Sequence, residues 1–400
     1  MSQHQNININ KNQNLKRVLL SGGGTGGHIY PALAVAQEFK NQFPNIDIRF
    51  VGSERGLESK IIPDKGYKLY KLNIGPLHSS VGRLEQIKTL FSLPFVFLHC
   101  LWILILFRPQ RVVGFGGYAS GPIVFMASIL FIPTAIWEAN VQPGIANKML
   151  SRFVKRCFVV FENSLKYFPA NKTVCLGYPV RAEFDELYAL NSNLVSTVIP
   201  MTSLKSTIVS SSAKNLDIPS GESKLKVLIF GGSQGAQIFN QVIPKVVNQF
   251  PNLEFNLQTG MKNFEATIKS VGKLPVNLKI YPFLDPILNF YLNSDLIICR
   301  SGAGAVAELS SIGVNCLFVP FALASDNHQY KNAVALSDQR AAYLIEEKNF
   351  NEASIAQFLN DFQAKSNSSD GQTNRQMKQR MLGFFKPKAT QNIVENLVKL

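Results

Sequence analysis

Charge and cysteine are both scarce in this chain. Only 17% of its 400 residues are charged, and no run of five or six Lys or Arg occurs, so a nucleic-acid-binding arm is not expected. The five cysteines, Cys100, Cys157, Cys175, Cys299 and Cys316, are scattered, and none is spaced C-x-x-C. An odd, dispersed set in a long chain argues against a disulfide framework or a zinc cluster and points to reducing cytosol. Residues 1–15 begin rich in Asn and Gln, without a charged start and an apolar h-region, and read as a disordered lead-in rather than a signal peptide. No serine nucleophile elbow, H-E-x-x-H or P-loop lysine appears. No paired carboxylates suggest a glycosidase.

What is present is apolar and basic. Hydrophobic residues make up 46% of the chain, enough for a sizeable core. Lys and Arg outnumber Asp and Glu by 41 to 26, giving a formal net charge of +15. That surplus invites a polyanion: nucleic acid, an anionic membrane surface or a phosphorylated substrate. The length suits about two domains.

The chain is built twice over. Arg17-Val-Leu-Leu-Ser-Gly-Gly-Gly-Thr-Gly-Gly27 and Lys226-Val-Leu-Ile-Phe-Gly-Gly-Ser-Gln-Gly-Ala236 share a basic residue, an apolar run, a glycine-rich turn and then a helical pattern. Short continuous apolar strands alternating with amphipathic stretches predict parallel sheets covered by helices on both faces. Strands are expected near 18–20, 48–51, 112–115, 134–137, 157–160 and 173–176. In the second half they are expected near 227–230, 254–259, 278–281, 296–299, 316–319 and 342–344. The fold class is therefore α/β, with two Rossmann-like, doubly wound parallel-sheet domains. Their expected bounds are 16–182 and 225–373, joined by a low-complexity linker over 183–224 and followed by a closing helix over 374–400.

Gly22-Gly-Gly-Thr-Gly-Gly27 fits G-x-G-x-x-G between a strand and a helix, where amide N–H groups and the helix dipole can meet a diphosphate. A tight strand–helix turn without a ligand has the same pattern. A nicotinamide fold also wants an acid about 20 residues on; Asp47 is near, but Ile46-Asp-Ile48 reads as strand entry. His28 follows the loop at the helix N-terminus, where the dipole favours the neutral, base-competent imidazole. It is either a general base for transfer to a hydroxyl or a turn-packing histidine. Ser233 in the second loop supplies a hydroxyl where a phosphate would sit. Glu308, one turn into the helix after Arg300-Ser-Gly-Ala-Gly, would hold a ribose diol or simply stabilise the dipole. Asp326, His328 and Gln329 sit at another helix start and suit sugar hydroxyls or capping.

Leu90–Phe107 is 18 residues without a fixed charge, flanked by Arg83, Lys88, Arg108 and Arg111 with only Glu85 opposing. A buried helix, a membrane-surface patch and a membrane span are the three readings, and apolar surface rimmed by cations favours the patch.

The motifs Gly22–Ala36, Gly114-Phe-Gly-Gly-Tyr-Ala-Ser-Gly-Pro122, Gly177-Tyr-Pro-Val-Arg181, Gly231–Ala236, Cys299-Arg-Ser-Gly-Ala303 and Asp326–Ala333 together resemble the MurG family of peptidoglycan N-acetylglucosaminyltransferases. They run in family order from about residue 16 to the C-terminus. The resemblance implies a GT-B fold with a central cleft and an inverting transfer of GlcNAc from UDP-GlcNAc to the C4 hydroxyl of MurNAc in lipid I. The product would be the β-1,4 link of lipid II. It implies that Ser233, Leu284, the turn Ala303, Gly304, Ala305, Val306, Ala307 and Glu308, and Gln329 surround the nucleotide sugar. Glu308 would take the ribose, Ser233 the diphosphate and Gln329 the sugar. Thr25, Gly26, Gly27, Asn140 and Arg181 would complete that site. Gly22, Gly23, Gly24, Gly116, Gly117 and Tyr118 would meet the acceptor diphosphate. His28 is the favoured base and Glu138 the alternative. No metal and no cofactor is implied. Phe91, Phe95, Phe97, Leu98 and Trp102 would touch an anionic membrane, the protein lying peripherally on the cytoplasmic side of the inner membrane. Cell-wall synthesis and division proteins are further expected partners. Two departures stand out. Trp137-Glu-Ala-Asn140 replaces the family's usual His-Glu-Gln-Asn, and the Ser-rich stretch after Arg181 is long. The rival activities are sugar transfer to diacylglycerol, nicotinamide oxidoreduction and a non-catalytic membrane scaffold.

Overall fold

Short Val/Ile/Leu runs without polar alternation are what strands covered on both faces look like. In the computed structural model they build two all-parallel sheets. The structure describes residues 15–54, 56–75, 83–195, 224–232, 234–324, 327–367 and 372–400, with the side chains of 83–88, 90, 191–195, 367 and 372–373 outside the description.

The first unit runs to Arg181 and takes in Lys388–Leu400. Its elements begin with β1 (Arg17–Ser21), α1 (Gly26–Gln42), β2 (Asp47–Ser53), α2 (Glu58–Asp64), β3 (Lys68–Leu72) and α3 (Arg83–Phe107). They continue through β4 (Arg111–Gly114), α4 (Ser120–Ile129), β5 (Thr134–Glu138), α5 (Ile145–Leu150), β6 (Arg156–Val159) and β7 (Thr173–Cys175). The strand order is β3-β2-β1-β4-β5-β6-β7.

The second unit spans Ala182–Pro387. It opens with α6 (Ala182–Val195) and β8 (Leu225–Phe230), followed by α7 (Gln237–Val246), β9 (Leu253–Gln258), α8 (Phe264–Val271), β10 (Leu278–Tyr281) and α9 (Ile287–Leu292). It closes with β11 (Leu296–Cys299), α10 (Ala303–Ile312), β12 (Asn315–Phe318), α11 (His328–Ser337), β13 (Tyr343–Leu344), α12 (Glu352–Asn367) and α13 (Gln372–Leu382). Here the order is β10-β9-β8-β11-β12-β13. The last helix, α14 (Ala389–Val398), packs on α1 in the first unit. There the Arg111 guanidinium donates to the carbonyls of Leu397 (2.8 Å) and Val398 (3.2 Å), a cationic cap on the helix C-terminus.

Strand order and register decide where ligands can bind. In each sheet the chain reverses its winding direction between two neighbouring strands, and ligand crevices open at the carboxyl ends of such pairs. In the first sheet the pair is β1 and β4, with Ser21 level with Gly114. In the second it is β8 and β11, with Phe230 level with Cys299. The glycine-rich turns starting at Gly22 and Phe115, and those starting at Gly231 and Arg300, therefore lie side by side within their own units.

Several expectations are corrected. The edge strand β3 escapes the apolar-run criterion because Lys68 and Lys71 are exposed and only Leu72 is buried. The stretch expected as linker opens with α6, whose Phe184 is fully buried with its ring 6.3 Å from Tyr291. Residues 196–223 of that stretch lie outside the described residues, as does the lead-in over 1–14. The closing helix is two helices, α13 and α14, interrupted where Pro387 can neither donate nor continue a helix.

The helix α3 has two apolar faces. Val96, Cys100, Ile103, Leu104 and Phe107 are buried in the core of the first sheet. On the other side Phe91, Phe95, Leu98, Trp102, Ile105 and Leu106 are exposed. That overturns the membrane-span reading of 90–107, because one face of the helix is part of the domain core. Among the described residues no helix is long and apolar enough to cross a membrane.

Candidate active site

In the first unit the two glycine loops are in contact. The Gly23 amide donates to the Gly116 carbonyl at 3.3 Å, and a Cβ on Gly117 would collide with the Gly23 backbone. Gly116 and Gly117 hold φ of 104° and 84°, a region that favours glycine. The third residue of α1, His28, lays its ring over Gly116, where an added Cβ would stand 2.8 Å from Cδ2 and Nε2. Its Nδ1 is 3.0 Å from the Gly23 carbonyl and 3.5 Å from Thr25 Oγ1. A carbonyl oxygen only accepts, so this bond assigns a hydrogen to Nδ1, and in the neutral imidazole the basic lone pair is then on Nε2.

The glycines of the first loop divide by role. Gly22 faces the His28 carbonyl and Phe115 Cβ, and Gly23 faces the side chain of Glu58, so both are glycine because protein packs against them. Gly24 is open to solvent but needs its φ of 82°, and its N–H is already donated to Glu58 Oε2 at 2.8 Å. At the mouth stand Thr25, in the extended N-cap conformation, and Gly26 and Gly27 of the first turn of α1. First-turn amides have no helical acceptor, and no acid occupies that turn, so the end of α1 suits an anion. Tyr118, beside Gly117, is 39% exposed.

Glu138, at the end of β5, is 5% exposed. Its carboxylate accepts from Asn140 N (3.0 Å), Asn140 Nδ2 (3.4 Å), Asn147 Nδ2 (2.9 Å) and Gly144 N (3.3 Å). Burial pushes its pKa up and these donors pull it back. Both oxygens are committed to the loop that carries Asn140, an anchoring arrangement rather than that of a proton acceptor facing substrate. The departure at Trp137 acquires a role as well. Its Nε1 donates to the Gly177 carbonyl at 3.3 Å, its ring meets Tyr178 edge-on at 5.2 Å, and the Tyr178 hydroxyl donates to the Gly27 carbonyl at 3.3 Å. The Gly177–Arg181 turn is thereby tied to the start of α1, with Arg181 exposed.

In the second unit Gly232 and Gly235 hold φ of 83° and 71°, and Gly235 packs its α-carbon against the Thr259 backbone. Gly231, Gln234 and Gly235 line a pocket of about 500 Å³ together with Gln329, Arg300, Phe321 and Glu347. Gln329 Oε1 accepts the Phe321 N–H at 3.0 Å. Ser233 and Asp326 lie outside the described residues. Glu308 sits in the second turn of α10, not the first, so the dipole alternative for it falls; its Oε2 instead accepts the hydroxyl of buried Tyr291 at 3.2 Å. Within the expected turn, Ala303, Val306 and Ala307 are buried, and Gly304, Ala305 and Glu308 are half-exposed. Leu284 is 4% exposed, so its side chain is packed in the interior of the second unit.

Sequence reasoning missed Glu58, Arg300, Phe321 and Glu347. Arg300 lay within a quoted motif without a role. Its guanidinium stands 5.2 Å from the ring centres of both Phe239 and Phe321, donates to the Val319 carbonyl at 3.0 Å and pairs with Glu347 Oε1. Asp47, the acid a nicotinamide fold would use, heads β2 at the end of the sheet opposite the loops and pairs with Arg49 at 2.8 Å. Among the described residues no three His, Cys, Asp or Glu side chains gather as metal ligands.

The glycosyltransferase family 28 N-terminal domain matches residues 18–159, and the glycosyltransferase family 28 C-terminal domain matches residues 226–393. The UDP-N-acetylglucosamine–N-acetylmuramyl-(pentapeptide) pyrophosphoryl-undecaprenol N-acetylglucosamine transferase of Bdellovibrio bacteriovorus is 33% identical over 96% of this chain and 99% of its own. The enzyme of the same name from Finegoldia magna is 35% identical over 96% and 98%. The crystal structure of Acinetobacter baumannii MurG superposes with a TM-score of 0.74 at 27% identity, covering 96% of this chain and all of that one. With two all-parallel Rossmann-like units carrying paired glycine loops at their switch points, and near-full-length identity to these transferases, the chain belongs to the MurG family of glycosyltransferases.

Proposed function

We propose that the chain transfers N-acetylglucosamine from UDP-GlcNAc to the C4 hydroxyl of MurNAc in lipid I, with inversion, yielding lipid II and UDP. The observation that carries the reading is His28 at the meeting point of the two glycine loops, with Nδ1 bonded to Gly23 and Nε2 carrying the lone pair. In this scheme Nε2 takes the hydroxyl proton as the oxygen bonds to the anomeric carbon. The bond from that carbon to the UDP oxygen breaks as the new one forms. The leaving diphosphate takes the electron pair, and its charge is met by amides of the Gly231–Ala236 loop together with Ser233, a form of electrostatic stabilisation. Glu308 accepts from the ribose, Gln329 from the sugar. The amides of Gly26 and Gly27, with Gly116, Gly117 and Tyr118, face the acceptor diphosphate. Glu138 is left as a loop anchor, since its acceptor sites are occupied. Incubating the enzyme with labelled UDP-GlcNAc and lipid I tests the reaction: labelled lipid II is expected, and its absence from a preparation that binds UDP-GlcNAc would refute it. His28→Ala is expected to lower turnover by roughly 10²–10⁴-fold with donor affinity retained; near-normal turnover would remove His28 as the base.

The membrane site in this reading is the outer face of α3. Phe91, Phe95, Leu98 and Trp102 are 77%, 74%, 62% and 55% exposed, whereas Phe97 is half-buried, its ring 6.0 Å from Phe125. Phe125 in turn meets Phe153 at 5.2 Å, which extends the apolar surface to exposed Ile145, Met149 and Phe153 at α5. Exposed Lys148, Arg152 and Lys155 border that extension. They replace Arg111, which is engaged with α14, as the cations beside an anionic lipid surface. In this reading the protein lies peripherally on the cytoplasmic side of the membrane that carries lipid I, and the exposed apolar face with its bordering cations supports it.

A further inference from the structure

We propose that Glu58 is a positioning residue for His28 and acts through the single peptide group between Gly23 and Gly24. The inference rests on the reading of His28 as the base. Glu58 is the first residue of α2 and is 1% exposed. Its Oε2 accepts the Gly24 N–H at 2.8 Å, and its Oε1 accepts both the Ser53 N–H at 2.8 Å and the Ser53 hydroxyl at 2.7 Å. The carbonyl of that same Gly23–Gly24 peptide lies 3.0 Å from His28 Nδ1. One peptide unit therefore donates to a buried carboxylate at one end and accepts from the imidazole at the other.

The chemistry of this chain of bonds is directional. An anion at the N–H end draws the amide hydrogen and enriches the carbonyl oxygen, so each bond strengthens the other in a low-dielectric setting. A stronger acceptor at Nδ1 fixes the Nδ1–H tautomer and ring orientation and raises the basicity of Nε2, as outer partners do for histidines at metal centres. When Nε2 takes a proton, the positive charge gained by the ring is stabilised by the carboxylate through the peptide.

The surroundings are built for this carboxylate. A Cβ on Gly23, Gly52 or Gly56 would overlap the Glu58 side chain, so three glycines from two loops and a strand leave it room. None of the three has a positive φ, which leaves space for Glu58 as the physical reason for glycine there. With its exposure so low and both oxygens accepting, Glu58 cannot itself bind substrate. It also withdraws the Gly24 N–H from the amides that could meet a diphosphate, which a loop serving only as an anion cradle would keep.

Glu58→Gln tests the inference in the full-length enzyme. The amide has one acceptor oxygen, so its NH2 group must face either the Gly24 N–H or the two Ser53 donors. Three measurements are compared with the parent: kcat and KM for both substrates, the thermal midpoint, and the imidazole 15N shifts of histidine-labelled protein. The chain has five histidines, and the His28→Ala spectrum assigns the His28 signals. The expected result is a kcat lowered roughly 10–100-fold, the range for loss of an outer partner. KM for UDP-GlcNAc stays unchanged, and His28 moves from the Nδ1–H form to a mixture of tautomers. A kcat within twofold of the parent, or a lowered kcat with the Nδ1–H form intact, overturns the proposal. Should Glu58→Gln fail to fold, Gly56→Ala displaces the carboxylate and is held to the same outcomes. The two readings fail separately. Turnover that survives His28→Ala refutes the base, while an inactive His28→Ala beside a fully active Glu58→Gln refutes only the link.

Discussion

The pair between Arg300 and Glu347 makes a sharp test of how the second unit holds its pocket. Arg300 follows β11, with a side chain 10% exposed against 20% for Glu347. Glu347 Oε1 meets the guanidinium and Oε2 accepts the Ala322 N–H at 2.7 Å, so one carboxylate ties together the turn after β11 and the segment after β12. Glu347→Ala removes the counter-charge and leaves the Arg300 cation between Phe239 and Phe321 with the Val319 carbonyl as its remaining hydrogen-bond partner among the described residues. Breaking a fully buried pair by deleting one partner costs roughly 3–5 kcal/mol. Water reaches a fifth of Glu347, and exposed Ala322 can turn to solvent, so about 2–3 kcal/mol is expected here after that discount. Glu347→Gln keeps an acceptor and should lose about 1 kcal/mol, the difference between a charged and a neutral hydrogen bond. Because Phe321, Gln329 and Arg300 line the pocket, UDP-GlcNAc affinity measured calorimetrically should fall about tenfold for the alanine variant, equivalent to about 1.4 kcal/mol. In a urea titration, the transition of the second unit should move to lower denaturant. The adjacent Glu346 pairs at the surface with Lys348 (3.1 Å), and Glu346→Ala should change neither quantity measurably. Parent-like affinity and parent-like unfolding in Glu347→Ala would refute the argument.

Two further outcomes follow from exposure and burial. Replacing Phe91, Phe95 and Trp102 together with Ser should reduce binding to vesicles containing anionic lipid by more than tenfold, since burying each side chain is worth roughly 1.5–3 kcal/mol before discounting its partial exposure. Turnover in detergent should be retained, and unchanged vesicle sedimentation would exclude this face as the membrane contact. Burial pushes the Cys100 thiol up to about 12 and the Cys157 thiol up to about 11, so neither supplies thiolate at pH 8. Half-exposed Cys175 should therefore react first with iodoacetamide in the native state, as read by peptide mass mapping; prior labelling of Cys100 would contradict the buried face of α3.

The strands were legible because their chemistry is local. Val18–Leu20, Val112–Val113 and Leu296–Cys299 are apolar on both faces, and the structure pairs them as interior strands. The strand β3 was not legible, since an edge strand with Lys68 and Lys71 exposed lacks that signature. The apolar run ending at Phe107 was ambiguous for a related reason. A helix apolar on two opposite faces has little periodicity, and only packing tells which stripe faces the sheet and which faces outward. The first part of the expected linker became α6 because Phe184 and Leu187, one turn apart, bury together on the second unit behind a first turn carrying Glu183 and Asp185.

The candidate site divides along the same line. A glycine loop after a strand announces itself in the chain, and so does the histidine that follows it. Which second loop lies against it depends on strand order, and the β1·β4 adjacency joins residues separated by nearly a hundred positions. The contact of His28 with Gly116 follows from that adjacency and from no local pattern. Glu58 shows the consequence most clearly. At the start of a short helix it reads as an ordinary dipole-stabilising acid, and Gly52 and Gly56 read as turn residues. Only β2 lying beside β1 brings the helix that follows it under the Gly23–Gly24 peptide, where the acid meets the loop's amide rather than its own helix end. The useful signal was a pair of glycines six and two positions ahead of the acid in Gly52-Ser-Glu-Arg-Gly-Leu-Glu58, a spacing that leaves room for the Glu58 carboxylate to turn inward. A glycine whose φ is negative and whose missing Cβ faces a carboxylate is therefore better read as space for that carboxylate than as space for a ligand. For Gly23, that transfers a residue from the substrate's side of the loop to the side that aims the base.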